Sequence, residues 1–277
     1  MRLKIAVLSR NFSTTGGGAE RYSVAVVEEL SARHEVHVFT QHAGNVLPGV
    51  TYHAVALPLR RPRWINQLYF ATATWWATRH GFDVVHSHEN TWHGNVQTVH
   101  VLPVKHNLFH GKRGLALALR WLKVATSPRL LTYLWLERQR YAPVPHRRTV
   151  LTSQALLADF VAAYPQARAM TEVIAPGVAS APGPCRPAQK QQSRANLGLP
   201  AQGQGLLLVG NDFRKKGLPA LLQALVKLPE DVWLAVVGES RQRADMQSLA
   251  QRLGVAHRVW FLGSLADMDR AYQAADC

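Results

Sequence analysis

A short apolar run, Leu3–Leu8, empties into a glycine-rich turn at Asn11–Gly18, and an amphipathic stretch then leads to a second apolar run, Glu35–Thr40. That order constrains the fold more than any other feature of the chain. Tyr22, Val26, Val27 and Leu30 recur at helical spacing, and a helix of this length between two strands suits a crossover to a parallel neighbour. The segment therefore predicts one unit of a doubly wound α/β sheet. Further strands are expected at Thr51–Leu57, Phe82–Ser87, Val96–Val101 and Arg148–Thr152, and helices at Ile65–Arg79, Leu115–Tyr141 and Ser153–Ala163. Thr152 or Ser153 can cap the last helix, and Tyr164-Pro165 closes it.

Val173–Val178 reads as another short strand, and Ala179–Gly205, rich in proline, glutamine and alanine, as a linker or surface loop. A second alternating series follows: strand Leu206–Val209, a helix with the stripe Leu218, Leu221, Leu222 and Leu225, strand Val232–Val237, helix Arg241–Leu253, strand Arg258–Leu262 and helix Ala266–Ala275. The expected domains are 1–172 and 173–277, both Rossmann-like. Three strand–helix units leave the second sheet with an exposed edge and an incompletely covered face. A truncated second domain is therefore expected.

The formal net charge of +15 calls for an anionic partner, and nucleic acid, acidic lipid and phosphorylated substrates all satisfy it. No apolar run has membrane-spanning length, and Met1-Arg-Leu-Lys4 leads into only a short one, so a cytoplasmic protein without a cleaved signal is expected. Cys185 and Cys277 make neither a disulfide framework nor a ligand cluster.

Four stretches could carry chemistry. Gly16-Gly-Gly-Ala-Glu20 would let a phosphate approach the backbone at a helix start, although it lacks the dinucleotide spacing and fits a structural turn equally well. Arg214, Lys215 and Lys216 sit where a strand empties towards a helix beginning near Gly217; unpaired amides and full positive charge there make an anion site, and a solvated surface turn is the alternative. Of the histidines His86, His88, His93, His100, His106 and His110, His100 stands where a strand meets a loop, the usual edge of a ligand crevice. No helical His-x-x-x-His pair with a clear third ligand accompanies them, so no metal is expected. Finally, Lys112, Arg113, Arg120 and Lys123 share an arc of roughly 100° on a helical projection, with Trp121 and Trp135 as interfacial aromatics. Such a helix suits an anionic membrane surface. An ordinary surface helix with cations in water is the other reading.

Taken in order, Gly16-Gly-Gly-Ala-Glu-Arg21, Asp83-Val-Val-His-Ser-His88, Val173-Ile-Ala-Pro-Gly-Val178, Val209-Gly-Asn-Asp-Phe-Arg-Lys-Lys-Gly217, Val236-Val-Gly238, Val259-Trp-Phe-Leu-Gly263 and Ala274-Ala-Asp276 resemble the retaining glycosyltransferases of family 4, and among them the lipopolysaccharide core glucosyltransferases. The resemblance implies a GT-B fold, two Rossmann-like domains facing across a cleft. By position it implies that Gly17 and Gly18 approach the donor diphosphate, that Lys216, with Lys215 or Arg214 beside it, neutralises it, and that His100 lies near the reacting sugar. Gly263, Ser264 and Leu265 would lie near the nucleotide base. It further implies a nucleotide-sugar donor, UDP-linked, as substrate rather than cofactor, no metal, and a glycolipid acceptor at the anionic inner-membrane surface, with no nucleic acid as partner. The family's glutamate-containing segment should follow Asp276 and is absent, so weak donor binding is expected. A non-catalytic basic protein on membrane or nucleic acid is the contrasting class.

Overall fold

The computed structural model describes residues 1–14, 17–59, 61–177, 185–265 and 267–277. The chain divides into two compact units, Met1–Gly177 and Val178–Cys277. In the first unit β1 (Lys4–Leu8), β2 (Asn11–Phe12), α1 (Gly18–Ser31), β3 (Glu35–Thr40), β4 (His42–Ala43), β5 (Val50–Ala54), α2 (Arg63–Thr78), β6 (Val84–Ser87) and β7 (Val96–Val99) are followed by three helices. These are α3 (Val104–Phe109), α4 (Gly114–Ala125) and α5 (Pro128–Arg140); β8 (Arg148–Leu151), α6 (Gln154–Ala163) and β9 (Thr171–Val173) complete the unit. Seven strands form one sheet in the order β5-β3-β1-β6-β7-β8-β9, every pairing parallel. The two-residue β2 and β4 pair separately.

A parallel sheet covered on both faces needs apolar side chains on both sides of its central strand. In β1, Ile5 and Val7 pack with Val24 and Val27 of α1, whereas Ala6 and Leu8 pack with Phe70 of α2. β9 pairs with β8, so Val173 belongs to the first sheet and the unit boundary falls at Gly177–Val178 rather than at 172–173. Of the strand expected over Val173–Val178, only Val173 is in a strand; Val178 lies outside the described residues.

The long helix expected over Leu115–Tyr141 is two helices. Ser127 caps α5, its hydroxyl accepting from the Leu130 amide, and Pro128 occupies the first helical position, where its missing N–H costs nothing. Ser153 caps α6 in the same way, bonded to the Leu156 amide.

The second unit contains α7 (Pro187–Asn196), β10 (Gln204–Val209), α8 (Leu218–Leu225), β11 (Val232–Val237), α9 (Arg243–Arg252), β12 (Val259–Gly263) and α10 (Met268–Ala274). The sheet order is β10-β11-β12, all parallel. α7 lies in the stretch expected as a loop, and it changes the coverage of the sheet. Leu218, Leu222 and Leu225 of α8 pack on one face against Leu208, Leu234 and Val236, each leucine contributing about 1.5–3 kcal/mol by burial. On the other face Trp233 and Ala235 meet Leu199 and Ala274. α7 packs against α10 there, and Arg194 of α7 donates to the Ala274 carbonyl at 2.9 Å and to Asp276 at 2.7 Å. The face expected to be incompletely covered is covered. The β10 edge is also engaged, since Leu207 donates to the Cys277 carbonyl and Asp276 to the Gly205 carbonyl, both at 2.8 Å.

Candidate active site

In the first sheet β1 lies between β3 and β6, so successive connections leave it towards opposite sides. The carboxyl end of such a strand opens the crevice in which ligands sit in doubly wound folds. α1 starts there. Gly17 is its N-cap in extended conformation (φ −77°, ψ −179°), and no side chain caps the helix, which leaves its opening turn as a positive, donor-bearing end. A Cβ on Gly18 would meet open space, whereas one on Gly17 would come to 2.8 Å from the Glu20 carboxylate. Gly16 lies outside the described residues.

The carboxyl ends of β6 and β7 bring three imidazoles together. His86 bonds to the Thr98 hydroxyl at 2.7 Å, and His88 Nδ1 lies 3.2 Å from His100 Nε2, the two rings stacked. Tyr22 of α1 sets its ring edge-on to both His88 and His100. Burial, and then the nearby His100 and Arg140, push His86 down to about 4. Burial also holds His88 well below the usual imidazole range and lowers His100. All three are neutral at pH 7. A neutral imidazole offers one donor and one acceptor, which suits sugar hydroxyls better than a diphosphate.

His88 and His100 line a cavity of about 300 Å³ with Glu89, Tyr133, Glu137 and Arg140. Glu89 accepts from the Arg10 amide at 3.1 Å, and burial raises its pKa. Arg140 is buried and donates to Gln97 at 2.9 Å and to the Thr98 carbonyl at 2.7 Å. Glu137, raised by burial, accepts from the Val104 and Lys105 amides and from the Tyr164 hydroxyl. Sequence reading passed over these three. Glu89 follows His88 directly at a strand end, a signal that was available; Arg140 and Glu137 sit in a helix and reach the cavity only through the packing of α5.

His93, like His86, is pushed down to about 4 by burial. Both folded-state values lie below the free-imidazole value, so between about pH 4 and about pH 6.5 the unfolded chain holds more protons than the folded one. Stability is full above this window and falls as pH drops through it. Thermal unfolding should therefore show a midpoint that falls between pH 7 and pH 5, with His93→Phe flattening the slope. A slope that His93→Phe leaves unchanged overturns the buried, neutral state of His93.

In the second unit three glycines end the three strands. Gly210 donates to the Val237 carbonyl at 2.9 Å and Gly238 to the Gly263 carbonyl at 2.8 Å. Gly238 is at φ +127°, and a Cβ there would land on the Gly210 carbonyl, with Asn211 Oδ1 at 2.8 Å. Only glycine permits that floor. Lys216 lies across it: a Cβ on Gly210 would meet Lys216 Cγ at 2.7 Å.

Among the described residues Lys216 has no ion-pair partner, while Arg214 pairs with Asp245 at 3.3 Å, both side chains more than 60 % exposed. Lys215 is exposed, and its amide bonds to Asp212. The helix expected to begin near Gly217 starts at Leu218, but its end offers fewer donors than expected: the Leu218 amide is bonded to the Phe213 carbonyl at 2.9 Å, and Pro219 has none. The lysine side chain, more than the helix end, supplies the positive charge. Gly263 is at φ +72°, Ser264 is exposed and Leu265 half-buried.

The basic helix is placed differently from its projection. Lys112 precedes α4 and Arg113 is its N-cap, so only Arg120 and Lys123 lie on the helix. Val124 is its one buried residue, and the side turned away from it presents Leu115, Leu119 and Leu122. Trp121 is also exposed and packs on Phe109. The outward face is thus apolar with cations beside it, where the projection had expected a basic arc.

Among the described residues no group of three or more His, Cys, Asp or Glu could hold a metal ion, and no helix is long and apolar enough to cross a membrane.

Two α/β units, each opening a crevice at the carboxyl ends of parallel strands, define a GT-B-type fold. The crystal structure of WaaG, a glycosyltransferase involved in lipopolysaccharide biosynthesis, superposes with a TM-score of 0.84 at 23% identity, over 98% of this chain and 73% of that one. Anabaena HepE in complex with UDP and glucose gives 0.70 at 19% identity, over 99% and 73%. The chain belongs to glycosyltransferase family 4: the model for Glycosyltransferase Family 4 matches residues 16–181, and that for Glycosyl transferases group 1 matches residues 189–277. Among curated relatives, the lipopolysaccharide glucosyltransferase WaaG of Escherichia coli is 29% identical over 154 residues, 52% of this chain and 40% of that protein. The lipopolysaccharide core biosynthesis glycosyltransferase LpsE of Rhizobium meliloti is 36% identical over 70 residues, 25% and 20% of the two chains. The matched stretches thus cover two fifths or less of these two curated relatives.

Proposed function

We propose that this chain carries the donor and acceptor sites of a retaining hexosyltransferase, moving a sugar from a UDP-linked donor to a membrane glycolipid of the lipopolysaccharide-core kind, without a metal ion. The observation that carries the reading is Lys216 laid over the glycine floor with no ion-pair partner among the described residues. As the bond from the anomeric carbon to the diphosphate breaks, negative charge grows on the departing nucleotide. A fixed ammonium and uncapped helix amides stabilise that charge at no cost in reorganisation. Lys216 has this role in the second unit, with Lys215 as a solvated neighbour. Gly17 and Gly18 have it in the first, where the open space in front of Gly18 leaves room for a phosphate oxygen.

His100, neutral and held by His88, hydrogen-bonds a hydroxyl of the transferred sugar. Gly263, Ser264 and Leu265 form the rim for the base. The leucine face of α4, with Arg120, Trp121 and Lys123 and the preceding Lys112 and Arg113, rests on the cytoplasmic side of an anionic inner membrane, and nucleic acid is not the partner of these cations. The names of WaaG and LpsE and the UDP and glucose bound to HepE support donor and acceptor class.

Saturating UDP should raise the thermal midpoint, since a ligand at a hundred times its dissociation constant adds about 2.7 kcal/mol. No shift at millimolar UDP, together with tight and strongly salt-dependent DNA binding, would replace this reading with a non-catalytic polyanion binder.

A further inference from the structure

We propose that Trp75, Trp76 and Arg79 of α2 form a second membrane-contact patch, continuous with the α4–α5 face, that seats at the headgroup level of an anionic bilayer. The proposal rests on the membrane reading of α4 and adds a helix that it does not include.

α2 buries Asn66, Gln67, Phe70, Ala71, Thr74 and Thr78 along one side. Thr74 and Thr78 satisfy their hydroxyls on carbonyls one turn back, at 2.7 Å each, so that side is finished as an internal surface. The other side leaves Tyr69, Trp75 and Trp76 exposed, Trp76 by 57%. An exposed tryptophan pair is costly on a surface that meets only water, since each ring leaves a large apolar area unburied.

Arg79 makes the pair amphipathic. Its guanidinium lies 3.8 Å from the centre of the Trp76 ring and 5.8 Å from that of Trp75. A cation held over an indole ring suits the boundary between acyl chains and phosphates, where aromatic rings and basic side chains sit.

Two observations join this patch to the α4–α5 face. First, α2 and α5 cover the same face of the sheet. Val85 of β6 packs with Phe70 of α2, Ser87 two residues on is in register with Gln97 of β7, and Gln97 accepts from Arg140 of α5. Alternation by two places Val85, Ser87 and Gln97 on one side, so the outer sides of α2 and α5 both point away from that side of the sheet. Second, a shared pocket and an aromatic contact bridge them. Trp75 and Trp92 line one pocket of about 400 Å³ with Arg79, Val144 and Pro145. Trp92 then meets Trp135 of α5 edge-on at 5.5 Å, and Trp135 and Leu131 are themselves 46% exposed.

Charge selects the occupant. α2, α3 and α4 contain no acidic residue, and the one on α5, Glu137, is buried. An aromatic surface with cations and no exposed carboxylate on these four helices matches acidic lipid, to which each Lys or Arg near the surface adds roughly a fivefold gain.

Sedimentation with vesicles tests this, using phosphatidylcholine alone and phosphatidylcholine with about a third phosphatidylglycerol. The unmodified chain should bind the anionic vesicles. Trp75→Ser with Trp76→Ser should weaken that binding about tenfold, and Arg79→Gln about fivefold on anionic vesicles only. Leu119→Gln with Leu122→Gln reads the α4 face separately. If the α4 variant loses binding while both α2 variants bind as the parent does, the α2 patch is overturned and the α4 reading stands. If the parent does not bind, both fall together. Should the tryptophan variants fail to fold, Trp76→Cys in a chain with Cys185→Ser and Cys277→Ser, labelled with a polarity-sensitive dye, gives the second readout. A blue shift on anionic vesicles supports the patch, and unchanged emission overturns it.

Discussion

Lys216→Ala should remove most of the stabilisation that UDP confers while leaving the ligand-free protein within about 0.5 kcal/mol of the parent. Lys216 is exposed and has no ion-pair partner among the described residues, so its loss costs the fold little. A hydrogen bond to a charged group contributes roughly 1.5–3 kcal/mol, which weakens UDP binding by about ten- to a hundredfold. At a UDP concentration that gives the parent about 2.7 kcal/mol, a thirtyfold weaker site leaves roughly 0.9 kcal/mol. Arg214→Ala is the control. That guanidinium is engaged with Asp245 at the surface, so removing it should change UDP stabilisation far less. Equal losses from the two variants would show a diffuse cationic field rather than a defined contact. Both differences are read by thermal shift with and without UDP.

Gly238→Ala should destabilise the second unit by about 3 kcal/mol or more, lowering its unfolding midpoint by more than about 10 °C. The effect has three sources at one residue. The backbone is at φ +127°, where a side chain is strained. The added methyl falls on the Gly210 carbonyl, and Gly210 is itself tied to the next strand by its amide bond to the Val237 carbonyl. Relief by moving Gly238 would stretch its hydrogen bond to the Gly263 carbonyl. Gly18→Ala is the opposite case. Its new methyl meets open space at a helix start, and it should be neutral or stabilising by up to about 1 kcal/mol. A Gly238→Ala variant as stable as the parent would mean that the glycine floor of this crevice is not built as described.

The strands were legible because parallel sheets need apolar runs: Glu35–Thr40 and Val232–Val237 coincide with β3 and β11. α7 was not. Its sequence, Pro187-Ala-Gln-Lys-Gln-Gln-Ser-Arg-Ala-Asn196, has no apolar period, and the residues it buries are Ser193 and Arg194, held by polar contacts to Gln273, Ala274 and Asp276. Periodicity sees hydrophobic faces and misses a helix fastened by hydrogen bonds. The break between α4 and α5 was written in Ser127-Pro128 and was overridden by the long amphipathic pattern. In α4 the projection ran two residues too far back, taking in Lys112 and Arg113, and periodicity does not say which face turns inward. Here the leucines face out. At the site, Lys216 could be picked from its place after a strand, and the glycines beneath it could not, since their role depends on backbones brought together by the sheet.

The guanidinium groups that hold the interior together change what the formal charge means. Arg140, Arg147, Arg194 and Arg258 are all buried. Arg147 donates to the carbonyls of Trp92, Gly94, Gln139, Arg140 and Ala142, and Arg258 to those of Leu225, Leu228, Pro229 and Val232. These cations are engaged with interior carbonyls and release no counterion when an anionic surface approaches. The valence that a salt titration of binding to any anionic surface would count is therefore set by the exposed cations and not by the +15 of the sequence.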